Sequence, residues 1–139
     1  MVTTPDHAGS TVLSITANDS VVQARQLVRT LAHECQLSLV EQTKLVTAAS
    51  ELARNTLVYG GGGTVTAALV TEHGRRGIRL VFADQGPGIP DVDLALTDGW
   101  TSGSGMGLGL SGSRRLVDDF VLETAVGAGT TVTVTKWSR

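Results

Sequence analysis

The sequence has few of the residues that define a disulfide framework, a metal site or a membrane span. A single cysteine, Cys35, excludes an intrachain disulfide, and no Cys/His cluster has the spacing of a zinc site. No apolar run approaches the roughly 18 residues of a membrane-spanning helix, and residues 1–10 are too polar for a signal peptide. We therefore expect a chain without a membrane partner, in the reducing cytoplasm.

Charge of either sign is also scarce. The chain has 11 basic and 13 acidic residues, for a formal net charge of −2. A balance of this kind argues against the basic face that nucleic-acid binding requires. A hydrophobic content of 41% argues equally against disorder of the whole chain. Its 139 residues suit one domain over 11–139, preceded by a disordered N-terminus over 1–10.

Glycine is the residue type present in excess. Most of the 17 glycines lie between residues 60 and 112, with clusters at 60–63, 86–88 and 103–112. Because glycine weakens both strands and helices, this density indicates loops that bend sharply or approach another group closely.

Hydrophobic periodicity between these loops predicts short strands and amphipathic helices. The predicted strands are 11–16, 64–71, 77–83, 120–126 and 130–136, and the predicted helices are 18–36, 39–59 and 110–119. Asn18 or Asp19 would cap the first helix, and Ser38 with Glu41 forms a capping box for the second. Helices grouped with consecutive strands predict an α+β fold, a two-layer sandwich with a mixed, mainly antiparallel sheet.

Glu51 and Asn55 form the first candidate functional motif. They are four positions apart on the second predicted helix, so their side chains share one face. An asparagine carbonyl is a hard oxygen ligand suited to Mg²⁺, and a carboxylate one turn away can accept a proton from a hydroxyl that attacks a phosphate. A solvated Glu/Asn pair on a surface helix would have the same spacing.

The second motif begins at Asp84, directly after the predicted strand 77–83 and before Gly86 and Gly88. An ionised carboxylate only accepts hydrogen bonds, so it would suit an exocyclic amine such as that of adenine. An ordinary turn containing Asp, Gly and Pro is the alternative interpretation.

The third motif is the run GSGMGLGL at 103–110, which leads into a predicted helix. Backbone N–H groups in such a loop can hold phosphates, although a flexible loop would have the same composition. The chain has no P-loop motif. A formal match to the dinucleotide fingerprint at 107–112 has neither the strand that should precede it nor the acidic residue about 20 positions on.

The three motifs in this order resemble the GHKL ATPase/kinase superfamily. The stretches ASELARNTLVYGGGG at 49–63, DGWTSG at 98–103 and SRRLVDDF at 113–120 narrow the resemblance to the small RsbT-type serine/threonine kinases. The resemblance covers nearly the whole chain and implies the Bergerat α/β sandwich, with ATP and Mg²⁺ as ligands.

The resemblance also implies a role for each motif residue. Asn55 would hold Mg²⁺ on the ATP phosphates, Glu51 would be the general base, and Asp84 would bind adenine. The residues implied to lie close to the nucleotide are Gly86, Gly88, Gly103, Gly105, Met106, Gly107, Leu108 and Gly109. Either Thr130 or Thr131 matches a threonine near the adenine. Residues 91–104 would form a lid over the site.

The resemblance implies protein partners as well. RsbT-like kinases phosphorylate STAS-domain proteins of a bacterial stress-signalling complex and, by partner switching, activate a PP2C-type phosphatase. The alternative is a nucleotide-gated switch such as an anti-sigma factor of the related RsbW type. A histidine-kinase catalytic domain fits less well, because no histidine lies in a suitable phosphoacceptor helix. The roles of Arg54, Arg114 and Arg115 stay open.

Overall fold

The computed structural model describes residues 10–96 and 109–138 of the chain. In these ranges the elements follow one another as β1 (Ser10–Ile15), α1 (Asn18–Glu34), α2 (Leu39–Val58), β2 (Gly63–Glu72), β3 (Arg75–Asp84), α3 (Val92–Ala95), α4 (Gly109–Arg115), β4 (Asp119–Thr124) and β5 (Thr130–Trp137). No helix among them is both long and apolar enough to cross a membrane.

The five strands form one sheet in the order β1-β2-β3-β5-β4, and every neighbouring pair is antiparallel. Alternate residues of the central strands are buried, and Val65, Phe82 and Val132 lie side by side in register. Helices α1 and α2 contact the sheet and share its buried core. The predicted α+β sandwich is confirmed, because period-2 strands present one apolar face that amphipathic helices cover.

The hairpin between β2 and β3 is tighter than predicted. The predicted strands 64–71 and 77–83 leave residues 72–76 between them, but only His73 and Gly74 lie outside the observed strands. Both residues have positive φ, 53° and 77°, as a two-residue type I′ turn requires. This turn matches the twist of the strands, so pairing continues to Glu72 and Arg75.

The two long helices begin differently from the predictions. Ala17 is the N-cap of α1, so the prediction that Asn18 or Asp19 caps it is wrong; Ser20 Oγ instead accepts the N–H groups of Thr16 and Ala17. For α2, Ser38 accepts the backbone N–H of Glu41 at 3.2 Å as predicted.

Helix α4 ends at Arg115, four residues before the predicted end at 119. The helix ends here because Asp118 is hydrogen-bonded to strand β5. Its N–H bonds to the carbonyl of Thr135 at 3.0 Å, and its carboxylate accepts the N–H of Trp137 at 2.7 Å. The neighbouring Asp119 accepts the indole N–H of Trp137 at 2.9 Å. These contacts join sequence-distant segments, which helical periodicity cannot reveal.

A buried ion pair connects α2 to the last strand. The Lys136 side chain is 4% exposed, and its Nζ lies 3.2 Å from Glu41 Oε1 and 4.0 Å from Asp118 Oδ1. The same Nζ donates to the carbonyl of Leu116 at 3.2 Å. The pair thus fixes the start of α2 and the segment after α4 against β5.

Lys136→Met is expected to lower the free energy of unfolding by about 3 kcal/mol, because it leaves the Glu41 carboxylate buried without its cation. Urea unfolding measures this change. The double variant Glu41→Leu/Lys136→Met removes both charges and is expected to recover most of the loss. A single variant that unfolds at the wild-type urea concentration would show that the pair is energetically unimportant.

Candidate functional site

A cavity of about 260 Å³ lies at one end of the sheet, where α2, the loop after β3 and the start of α4 meet. Its walls are largely apolar, with Leu52, Phe82 and Val132 among the buried ones. The residues that line it are Leu52, Asn55, Thr56, Tyr59, Gly60, Phe82, Asp84, Pro87, Gly88, Ile89, Pro90, Ala95, Gly109, Leu110, Thr130 and Val132. An apolar cavity with a few polar groups is the usual form of a small-molecule site.

Asp84 is the last residue of β3 and is held in one orientation. Its Oδ1 accepts the backbone N–H of Gly86 at 2.8 Å and that of Thr130 at 3.2 Å. No residue in the described ranges gives Oδ2 a hydrogen bond. Within those ranges the Asp84 carboxylate therefore keeps one unused acceptor, which suits a ligand amino group.

Thr130 is a second acceptor, and its orientation depends on Thr124. Thr124 Oγ1 accepts the N–H of Ile89 at 2.9 Å and donates to the carbonyl of Gly129 at 3.1 Å. It lies 2.9 Å from Thr130 Oγ1. Whichever of the two hydroxyls donates to the other, Thr130 Oγ1 keeps a lone pair that can accept a hydrogen bond from a ligand.

Gly60 is a site residue that none of the three sequence motifs includes. A Cβ added at this position would lie 2.6 Å from Asp84 Oδ2. Gly60 also packs against Gly86, whose own Cβ would lie 2.8 Å from the Cα of Gly60. The absence of both side chains thus leaves the space that the Asp84 carboxylate occupies.

Gly60→Ala is expected to weaken nucleotide binding by about tenfold or more, because the new methyl group must displace the Asp84 carboxylate. Calorimetric titration of ATP measures the affinity. Gly74→Asn is a matched control at an open turn position, where nothing lies within 4 Å of an added Cβ. ATP affinity equal to that of wild type in Gly60→Ala would mean that Asp84 does not bind the nucleotide.

Asn55 lines the cavity from the last turn of α2. Its backbone carbonyl accepts the N–H groups of Tyr59 and Gly60, which ends the helix. The described part of the chain provides no hydrogen bond to its side-chain amide. No group of three or more His, Cys, Asp or Glu side chains occurs in the described ranges. A divalent cation at Asn55 would therefore take its other ligands from phosphate and water, as Mg²⁺ commonly does.

Glu51 lies one turn before Asn55 but lines a different depression, a groove between α1 and α2. Its Oε2 is buried and has no hydrogen-bond partner in the described part of the chain. An unpartnered buried carboxylate oxygen costs stability and calls for an explanation other than packing. Glu51 and Asn55 thus direct their side chains to two adjoining depressions from a single helix.

The predicted glycine contacts fall into three groups. Gly88 and Gly109 line the cavity, whereas Gly86 packs behind it against Gly60 and donates to Asp84. The residues Gly103, Gly105, Met106, Gly107 and Leu108, together with most of the predicted lid, lie outside the described residues.

Cys35 is not part of the site. It is buried in the core between the helices. Burial raises the pKa of its thiol, against a smaller opposing effect of the Arg76 guanidinium. The thiolate is therefore disfavoured, as expected for a core cysteine.

This arrangement of strands, cavity and helix α2 is that of a known ATP-binding class. The model of the histidine kinase-, DNA gyrase B- and HSP90-like ATPase family matches residues 40–138. The chain belongs to this family, the GHKL superfamily that its motifs resemble.

Comparison with individual proteins shows which members of this family the chain is similar to. The chain is 42% identical over 119 residues to the serine/threonine-protein kinase RsbT of Bacillus subtilis, with 86% of this chain and 90% of that protein covered. It is 28% identical over 120 residues to the anti-sigma F factor of Geobacillus kaustophilus, with 81% of each covered. The fold is shared with part of the solved structure of the RsbU and RsbW domains of Rv1364c from Mycobacterium tuberculosis, at a TM-score of 0.63 and 22% identity. That match covers 94% of this chain and 32% of the other.

Proposed function

We propose that this chain is an ATP-dependent serine/threonine protein kinase of a partner-switching module. Its substrates would be STAS-domain antagonist proteins of bacterial stress signalling, and the same chain would activate a PP2C-type phosphatase in the cytoplasm. The observation that carries the proposal is one cavity lined by Asp84, whose Oδ1 is fixed by two backbone N–H groups, and by Asn55, whose side-chain amide has no hydrogen bond within the described part of the chain. The 42% identity to a serine/threonine-protein kinase supports the reaction type.

The residues of the cavity have distinct roles in this proposal. Asp84 and Thr130 accept hydrogen bonds from the adenine side of ATP, and the walls formed by Phe82 and Val132 hold the base. Asn55 would hold Mg²⁺ through its carbonyl oxygen, and the cation would offset charge on the phosphates.

Glu51 is the general base in this proposal. The acceptor serine or threonine gives its hydroxyl proton to the Glu51 carboxylate as its oxygen bonds to the γ-phosphorus. The bond between the γ-phosphorus and the β–γ bridging oxygen breaks, and ADP leaves with that electron pair. Glu51 Oε2 has no hydrogen-bond partner among residues 10–96 and 109–138, so a lone pair is left for this proton.

A second candidate is an anti-sigma factor or partner-binding switch without essential kinase activity. The 28% identity to anti-sigma F factors is the observation that favours it. In this case ATP would gate the binding of a sigma factor, and transfer to a STAS protein would not be required.

Transfer of the labelled γ-phosphate to purified STAS-domain proteins from the source organism tests the two functions. If the wild-type chain is a kinase, it labels one of these proteins on a serine or threonine, which mass spectrometry locates. The Asn55→Ala variant is expected to label none of them. Capture of a sigma factor by the ATP-bound chain, without labelling of any STAS protein, would favour the anti-sigma function and contradict the kinase.

A further inference from the structure

One wall of the cavity, the loop after β3, is held from behind by the hairpin between β4 and β5. Pro87, Gly88 and Ile89 line the cavity, whereas Thr124 at the end of β4 does not. These three wall residues belong to no helix or strand. The position of the wall therefore depends on its contacts with the hairpin.

Backbone contacts join the wall to the hairpin at its middle. The N–H of Gly127 donates to the carbonyl of Pro87 at 2.8 Å. A Cβ atom added at Gly88 would collide with the carbonyl oxygen of Ala125, so the two segments pass with no room for a side chain. These contacts fix how near the wall lies to the hairpin, but they do not reach Ile89.

Thr124 provides the contact at Ile89. Its Oγ1 accepts the backbone N–H of Ile89 at 2.9 Å and lies 3.1 Å from the carbonyl oxygen of Gly129. In the register of the hairpin Thr124 is opposite Thr130, and their hydroxyl oxygens are 2.9 Å apart. A single hydroxyl outside the cavity thus contacts two of the residues that line it.

The contact with Thr130 connects Thr124 to the acceptor carboxylate of the site. The backbone N–H of Thr130 donates to Asp84 Oδ1 at 3.2 Å. Because the Thr130 hydroxyl is hydrogen-bonded to Thr124, it cannot rotate freely to suit whatever group a ligand presents. Thr124 therefore restricts the second acceptor of the cavity as well as its wall.

We infer that Thr124 is a positioning residue that sets the base preference of the site without touching the ligand. The inference rests on the proposed function, in which the adenine of ATP lies at Asp84 and Thr130. It adds a residue that controls how strictly the site distinguishes an amino group from a carbonyl oxygen on the base.

Thr124→Val tests this role, because valine keeps the branched shape and removes the hydroxyl. Calorimetric titration of ATP is expected to give an affinity about three- to tenfold below that of wild type. Thr130, freed from its partner, can donate to a base carbonyl as well as accept from an amine. The preference for ATP over inosine triphosphate, which has such a carbonyl, is therefore expected to fall about threefold or more.

Two further variants separate the hydroxyl from the rest of the side chain. Thr124→Ser keeps the hydroxyl and is expected to keep both the ATP affinity and the nucleotide preference within about twofold of wild type. Thr133→Val removes a hydroxyl from β5 on the opposite face of the sheet, next to the cavity residue Val132. It is expected to change neither quantity.

Amide hydrogen exchange of the wild-type chain tests the same contact without a variant. The N–H of Ile89 is expected to exchange slowly for a loop amide, because Thr124 Oγ1 accepts it. Exchange as fast as that of an unprotected amide would show that the contact does not hold the wall, and it would overturn the inference even if Thr124→Val failed to fold.

The titrations separate the inference from the proposed function. Correctly folded wild type that binds neither nucleotide contradicts the proposed function. If wild type binds ATP and Thr124→Val keeps both the affinity and the preference, only the role of Thr124 is overturned. Equal losses for both nucleotides that Thr124→Ser does not restore would assign Thr124 to folding alone and would also overturn it.

Discussion

Glu51→Gln is expected to lower the rate of phosphate transfer about 100- to 10,000-fold and to leave the affinity for ATP nearly unchanged. The amide keeps the size of the side chain but cannot take the acceptor proton. ATP affinity is preserved because Glu51 lines the groove between α1 and α2 and not the cavity of Asn55 and Asp84. The initial rate at saturating ATP and saturating STAS-domain probe measures the effect.

The stability of the Glu51→Gln variant shows whether a loss of transfer rate comes from lost catalysis or from unfolding. Neutralising a buried carboxylate whose Oε2 has no partner in the part of the chain that the structure describes is not expected to destabilise the protein. Glu123→Gln is the matched control, because Glu123 is exposed on β4 away from both depressions. Wild-type transfer rates in Glu51→Gln would mean that another group accepts the proton.

Asp84→Asn is expected to change the base preference of the site as well as its affinity. The asparagine oxygen can keep the N–H groups of Gly86 and Thr130, which places its NH₂ group where Oδ2 now lies. That donor would face the 6-amino donor of adenine. The loss of a hydrogen bond to a charged group is expected to weaken ATP binding by about 10- to 100-fold.

Inosine triphosphate provides the matched ligand, because it has an oxygen acceptor in place of the adenine 6-amino group. Asp84→Asn is expected to bind it better than wild type does, so that the preference for ATP shrinks or reverses. Calorimetric titration of both nucleotides gives the ratio. Asp19→Asn on the exposed first turn of α1 controls for the lost charge. An unchanged ratio would show that Asp84 does not contact the base.

The elements of the fold were predictable because each has a simple period. The five strands and the two long helices lie where apolar spacing predicts them. Their ends differ where contacts between distant segments decide. Helix α4 stops early because Asp118 pairs with β5, and the hairpin turn shortens to His73-Gly74 because its two residues adopt positive φ.

The site was predictable to the extent that its residues form motifs. Asn55, Asp84 and Thr130 line one cavity, and their contacts with a nucleotide there stay predictions. Gly60 and Thr124 were missed, because each acts through another residue: Gly60 through Asp84, far along the chain, and Thr124 through Thr130, opposite it in the β4–β5 hairpin. The GGGG run that begins at Gly60 was the available signal for the first, and nothing in the sequence marked Thr124.

The sequence alone indicates only part of the groove between α1 and α2. The spacing of Arg25 and Arg29 places them on one helical face, but only the packing of α1 on α2 brings Leu39 and Glu51 opposite them.

Titration of Mg²⁺-ATP into the wild-type chain and Asn55→Ala, followed by heat, tests the central claim most directly. The account expects saturable binding in wild type that depends on Mg²⁺ and is lost or strongly weakened in Asn55→Ala. Correctly folded wild type that binds no ATP, or an Asn55→Ala variant that binds it equally well, would contradict the assignment of this cavity as the nucleotide site.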